Sequence, residues 1–280
     1  QGQSTGTPNI CINLLKLLTI YMNDGIDPID GKRKSGPVPL KKLEEYQTFE
    51  EFYDGYKALL DYYLDLSVKA QYHSYEVMNQ HVSFLFTSLL TDDCIARGKA
   101  LLDGGVRYLG GTNETYGNIN TSDSLWVIRD LVFNQKKYTL RQLNDAMLAN
   151  FNGYEALRKD CLNCDKYGND LETADTMAND LYEFVAKGVR NRGIAIGMQY
   201  FLIVISNNQL NTEWGNRTAA SPDGRLSCMY MNPANNPQGG ANKSGPTAML
   251  NSLAKFDAKY HGGSVQNIRL MDWGVRHTSA

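Results

Sequence analysis

The sequence is short of cysteine, of net charge and of long apolar runs, and each shortage narrows what it can be. Five cysteines in 280 residues (Cys11, Cys94, Cys161, Cys164, Cys228) are few and odd in number, whereas a disulfide-stapled secreted scaffold uses more, in pairs. No signal peptide is visible, so the Asn-x-Ser/Thr triplets at Asn113, Asn120, Asn216 and Asn242 carry no glycosylation argument, and reduced cytoplasm is the expected compartment. Lysine and arginine total 28 against 30 acidic residues, a net charge of −2, which argues against a global grip on nucleic acid or an anionic membrane. No apolar run approaches the ~20 residues that span a bilayer. The four histidines form no His-Glu-x-x-His pattern, and there is neither a Gly-x-Ser-x-Gly elbow nor a phosphate-binding loop. Cys161-Leu-Asn-Cys164 stands alone. Zinc needs four ligands, and a redox pair belongs at a helix N-terminus after a strand, whereas this pair follows a helix.

What is present is a 42% apolar content, enough to fill a core. From Ile10, apolar residues at helical spacing (Leu14, Leu15, Leu18, Met22) predict a buried helix stopped by Asn23-Asp24-Gly25. The proline-bearing stretch 26–40 reads as a loop whose Lys32, Arg33 and Lys34 keep it solvated. Thr48 with Glu51 makes a capping box for a long helical stretch to about Leu90, with its aromatics in the core. Residues 91–120 read as a short helix and a Gly/Asn-rich turn segment. Helices are expected at about 122–135, 139–152 and 174–188. The continuous apolar run 198–206 fits a strand buried on both faces. Residues 207–246 are rich in Asn, Gly and Pro, too polar for core and therefore functional or disordered. A helix at 246–256 and a short strand at 264–270 complete a helix-rich α/β chain that closes poorly as one domain.

The stretch Ser221-Pro-Asp-Gly-Arg225, followed by Gly245-Pro-Thr-Ala-Met-Leu-Asn-Ser-Leu-Ala-Lys255, resembles the corresponding segment of the glycyl radical enzymes, the pyruvate formate-lyase-like family. Blocks at 12–33, 92–108, 123–133, 143–159 and 166–175 resemble that family in the same order, so the resemblance spans about residues 10–270. It implies a partial barrel domain at 1–270 with an atypical tail at 271–280. Its fold is a ten-stranded α/β barrel of two antiparallel five-stranded half-barrels, of which this chain would be a helix-rich portion. It implies thiyl-radical chemistry on a small polar metabolite, formate C-acetyltransferase-like or of a radical dehydratase or lyase kind. The organic radical is a protein glycyl radical, installed by an activase that uses S-adenosylmethionine and an iron–sulfur cluster. No other bound cofactor or metal is expected, and the intact parent would be a homodimer.

The resemblance places the catalytic cysteine before Gln1 and the radical glycine after Ala280. The chain alone is therefore expected to be inactive, and Cys11 is read as a helix residue rather than a substitute. Gln3, Ser4 and Thr5 are the expected substrate-facing residues, with Asn207, Asn208, Asn235 and Asn236 as further candidates. The competing expectation is a catalytically inactive relative that serves as a binding or assembly scaffold.

Overall fold

The computed structural model describes residues 10–82, 84–198, 200–205, 208–264, 266 and 268. Ile10-Cys11-Ile12 is extended rather than helical. The strand β1 (Ile10–Asn13) runs into α1 (Leu14–Met22), and Asn13 makes the change by accepting the Lys16 N–H at 2.9 Å. An asparagine cap competes with helical geometry at its own position, and the branched residues before it suit a strand. Apart from Lys16, every residue of α1 is buried, which explains why it is apolar all round.

The capped helix α2 (Phe49–His81) follows, Thr48 accepting the Glu51 N–H at 3.1 Å. It ends earlier than the pattern predicts, at His81, and the chain turns at the left-handed Phe84 (φ 42°); α3 (Leu85–Leu89) and α4 (Cys94–Arg97) are short pieces beyond it. The expected aromatic packing is present. Phe49, Phe52 and Tyr56 are buried, and Tyr56 Oη donates to the Leu14 carbonyl at 3.0 Å. Gly55 lets α2 approach Tyr21, whose hydroxyl would lie 2.1 Å from an added Cβ.

The Gly/Asn-rich segment contains a strand, β2 (Gly110–Tyr116), buried along its whole length. Then come α5 (Asn118–Val127), which continues irregularly to Asn134, α6 (Leu140–Leu148), α7 (Glu155–Asn163) and α8 (Glu172–Ala195). The apolar run forms β3 (Tyr200–Ile205), followed by an unexpected helix α9 (Asn208–Asn216), by α10 (Gly245–Ala254) and by β4 (His261–Ser264). All four strands are parallel, in the order β1-β2-β3-β4. One face of the sheet packs on α2 and α8, where Asn113 Nδ2 donates to Ser67 Oγ at 2.9 Å and Ile12 joins the main core.

The segment 207–246 is not excluded from the interior. Residues 218–225 and most of 231–237 are buried. Their polar groups pair with one another and with α5, which makes their burial tolerable. In the loop 26–40, Asp27 is fully buried and accepts Lys16 and Lys34 at 2.7 and 2.6 Å, so Lys34 locks the turn as well as facing solvent.

Candidate functional site

Side chains alternate across a strand, so β2 divides its residues between two faces. Asn113 and Thr115 face the helices, which leaves Thr112, Glu114 and Tyr116 on the opposite face. The parallel register sets Cys11 beside Glu114 and Asn13 beside Tyr116. On this inner face Glu114 Oε2 accepts the Tyr116 hydroxyl at 2.5 Å and the Cys11 thiol at 3.8 Å. The Tyr116 ring stacks on Trp214 of α9, centroids 5.6 Å apart and planes within 12°, and Leu15 and Met231 close the patch from behind. Burial, with the Glu114 charge adding to it, pushes the Cys11 thiol up to about 11. Burial and then the Glu114 bond raise the Tyr116 phenol well above its ordinary value. Two neutral donors therefore converge on one carboxylate oxygen, a fixed polar patch on this face.

Ligands of parallel α/β sheets bind beyond the C-terminal ends of the strands, and here those ends carry amides. Asn13 Nδ2 donates to Thr218 Oγ1 at 2.9 Å. Gly117 turns the chain out of β2 at φ +71°, where a Cβ would meet Leu15 at 2.8 Å. Beyond it Asn118 Nδ2 donates to Asn235 Oδ1 at 3.2 Å. Asn120 and Asn232 exchange backbone and side-chain bonds of 3.1 and 2.8 Å, and Asn120 Nδ2 donates to Asp223 Oδ2 at 2.6 Å. The Ser221–Arg225 turn is folded around the buried Arg225, whose terminal nitrogens donate to the carbonyls of Thr218, Ala219, Leu226 and Met229 at 2.7–3.1 Å.

Of the residues singled out from the sequence, Gln3, Ser4, Thr5 and Asn207 lie outside the described residues. Asn208 opens α9 just beyond β3, and the buried Asn235 sits beyond the end of β2; both therefore belong to the C-terminal edge. Asn236 Nδ2 instead closes its own turn on the Pro233 carbonyl at 2.8 Å. Cys11 lies in a strand rather than a helix. Glu114, Tyr116 and Trp214 escaped the sequence reading, because β2 shows no apolar alternation; the spacing Glu-x-Tyr inside a strand was the available signal.

The Cys-x-x-Cys pair ends α7. Lys166 Nζ, itself buried, donates to the Cys161 carbonyl at 2.6 Å and reaches the Cys164 carbonyl at 3.4 Å, a cationic cap on a helix C-terminus. Burial pushes the two thiols up to about 12 and about 11, which disfavours the thiolates that metal binding and exchange require. No group of three or more metal-ligating side chains occurs among the described residues. Asn113 and Asn120 are fully buried, so neither is open to a glycan in this fold.

The profile of the pyruvate formate lyase-like family matches residues 1–210. The chain is 31% identical over 259 residues to trans-4-hydroxy-L-proline dehydratase of Clostridioides difficile, covering 92% of this chain and 32% of that protein. It is 28% identical to (2S)-3-sulfopropanediol dehydratase of Klebsiella oxytoca, with 92% and 32% covered. Among solved structures, the Roseburia inulinivorans protein described for 1,2-propanediol dehydration superposes with a TM-score of 0.85 at 29% identity, over 94% of this chain and 34% of the other. The chain thus spans about a third of the length of these relatives. No helix among the described residues is long and apolar enough to cross a membrane. The structural neighbours are α/β barrels, and the parallel sheet with its helical layer is a helix-rich portion of that barrel. Matched in profile, in ordered sequence blocks and in fold, the chain belongs to the pyruvate formate lyase-like family of glycyl radical enzymes.

Proposed function

We propose that this chain forms part of the reaction barrel of a glycyl radical dehydratase or lyase, and that the inner face of its sheet is a wall of the reaction chamber. The observation that carries the reading is the Cys11–Glu114–Tyr116 constellation, a hydrogen-bonded polar patch on the face opposite the helical layer. A chamber that handles radicals must exclude water and still hold a polar substrate. A buried carboxylate flanked by neutral donors and an aromatic floor suits the hydroxyl groups of a small metabolite. The dehydratases and the sulfite-lyase among the relatives favour this chemistry over formate C-acetyltransferase activity.

In this proposal a cysteine before Gln1 becomes the thiyl radical and takes hydrogen from the substrate. A glycine after Ala280 stores the radical between turnovers, and an activase using S-adenosylmethionine and an iron–sulfur cluster installs it. Glu114 accepts a substrate hydroxyl proton or holds that hydroxyl in place, while Tyr116 and Cys11 keep the carboxylate oriented. The intact parent is a cytoplasmic homodimer, and the 280 residues alone are catalytically silent.

The test is to express the full-length gene product with its activase under anoxic conditions. It would be read by electron paramagnetic resonance and by turnover of vicinal diols, hydroxyprolines and hydroxysulfonates. A glycyl radical signal with turnover of one of these classes is the expected result. Glu114→Gln should lower kcat by about 100-fold, the usual scale for a positioned acid–base group, and leave the radical yield intact. A parent that binds such a substrate but never acquires the radical would instead support the inactive scaffold.

A further inference from the structure

The inner face has a second property that holding a substrate does not use. Cysteine, tyrosine and tryptophan are the side chains that most readily give up one electron, and here one of each stands in a row. The Cys11 thiol lies 3.8 Å from Glu114 Oε2, the Tyr116 hydroxyl donates to that same oxygen at 2.5 Å, and the Tyr116 ring stacks on Trp214.

The stack is offset, with centroids 5.6 Å apart and planes within 12°, an arrangement that aromatic pairs favour and that leaves the two π systems in contact. It is held from both sides. Thr218 Oγ1 donates to the Trp214 carbonyl at 2.7 Å and accepts Asn13 Nδ2 at 2.9 Å, which ties α9 to the end of β1. The Met231 N–H donates to the Asn211 carbonyl at 3.3 Å, one turn earlier in α9. The two rings differ in exposure: Tyr116 is buried, whereas Trp214 is partly open to solvent. Electrons pass between rings in contact without any ligand entering, so burial of Tyr116 shields the row and does not block it. A phenol that loses an electron becomes a strong acid and must lose its proton too. Burial and the Glu114 bond keep Tyr116 protonated well above neutral pH, and the Glu114 carboxylate is in place to take that proton.

We propose that Trp214, Tyr116 and Cys11 form a one-electron relay between the surface at α9 and the inner face, with Glu114 as its proton acceptor. An oxidant takes one electron from the Trp214 indole, which releases its Nε1 proton to water. Tyr116 then passes an electron across the stack and its hydroxyl proton to Glu114, while water returns a proton to the indole. This turns an indolyl radical and a phenol into an indole and a phenoxyl radical. In the last step the Cys11 thiol gives its electron to the phenoxyl and its proton to Glu114. Glu114 returns the first proton to the Tyr116 oxygen and later releases the second to solvent, and Cys11 is left as a thiyl radical. The use of the relay rests on the function proposed above. There it runs in reverse: a substrate radical that strays from turnover takes hydrogen from Cys11, and the oxidising equivalent leaves through Tyr116 and Trp214. A low-molecular-weight thiol in solution then gives a hydrogen atom to the indolyl radical.

Pulse radiolysis of the 280-residue chain with azide radical, an oxidant selective for indoles, tests the relay without turnover, so its failure is distinct from failure of the proposed enzyme. Trp126→Phe with Trp273→Phe leaves Trp214 as the only tryptophan. In that background indolyl absorption should give way to phenoxyl absorption at a rate independent of protein concentration. In the otherwise unchanged chain, Trp214→Phe should remove the same phase, which covers a background that fails to fold. Tyr116→Phe should abolish the transfer, and Glu114→Gln should slow it by about 100-fold, the lower end of what a positioned proton acceptor contributes. Cys11→Ala should remove the later, concentration-independent decay of the phenoxyl radical. Tyr138→Phe is the control and should change nothing: Tyr138 also donates to a carboxylate, Asp160 Oδ2 at 2.5 Å, but no indole stacks on it among the described residues. Thermal melts confirm that each variant is folded. The relay is overturned if the transfer depends on protein concentration, if folded Tyr116→Phe or Glu114→Gln transfers as fast as its parent, or if Tyr138→Phe slows it as much as Tyr116→Phe.

Discussion

Buried carboxylates set the pH response of this fold in opposite senses. Burial, only partly offset by Lys166 and the Tyr167 N–H, pushes Asp123 up to about 7. A carboxyl whose folded value exceeds its unfolded one binds more protons in the native state between about pH 4 and 7, so its contribution falls as pH rises through that window. Asp123→Asn keeps an acceptor for Tyr167 and removes the titration. The variant should match or exceed the parent in stability at pH 7.5, by up to roughly 4 kcal/mol, and lose its advantage near pH 4. Urea melts at the two pH values measure this, and equal pH profiles would contradict it.

Asp27 acts the other way. Burial raises it, but bonds from Lys16 and Lys34 overcome that and hold it below its ordinary value. Its contribution is present above the unfolded carboxylate value and is lost as pH falls through the folded one. Lys34→Met leaves Lys16 in place and should cost about 1–2 kcal/mol at pH 7, less in acid.

At the scale of elements, α2 is the spine against which α1 and the sheet are fixed, and α1 meets it through one hydroxyl and one missing methyl group. Tyr56→Phe leaves the buried Leu14 carbonyl without its donor and should destabilise the chain by about 1–2 kcal/mol. Gly55→Ala should cost more than the usual helix gain from alanine returns, because the new methyl group occupies the position of the Tyr21 hydroxyl, which lies 2.5 Å from Tyr46 Oη and 3.0 Å from the Phe52 carbonyl. Denaturant titration of both variants, with unchanged m-values, checks the pair.

These elements also show how far the sequence could be read. Helices α2 and α6 announce themselves by apolar spacing and caps, α8 by apolar spacing alone, and β3 by an unbroken apolar run. Strands β1 and β2 do not, because a strand buried through hydrogen-bonded Asn113, Glu114 and Asn13 carries no hydrophobic period. The candidate site suffered most, since its key residues lie on the strand that periodicity could not find. Asn208 was legible only as a polar residue at the end of an apolar run, and Asn235 only as a polar residue of the 207–246 loop. That Asn235 meets Asn118 is a fact of the tertiary structure.

For the molecule as a whole, the two sheet edges and one apolar surface dominate. Leu85, Phe86, Leu90 and Ile95, on or beside α3 and α4, are each about 70% exposed, and exposed apolar surface gathered in this way promotes association. The 280-residue chain should therefore sediment as a concentration-dependent mixture, and Phe86→Ser with Leu90→Ser should shift it toward monomer. A sedimentation profile identical for parent and double variant would place the association at the strand edges instead.

The pairing of β1 with β2 joins Cys11 to Glu114 across 103 residues, and the Asn120–Asn232 exchange spans 112. Contacts so distant along the chain form only after long loops close, which slows folding. During synthesis β1 must wait for β2, and β2 for β3, so the helices between them are made before these strands can pair. The Ser221–Arg225 turn, which locks the strand ends together, arrives later still. The α1 and α2 helices are therefore made before the strands they cover can pair, and the polar face on β1 and β2 waits for α9 to bring Trp214 onto Tyr116.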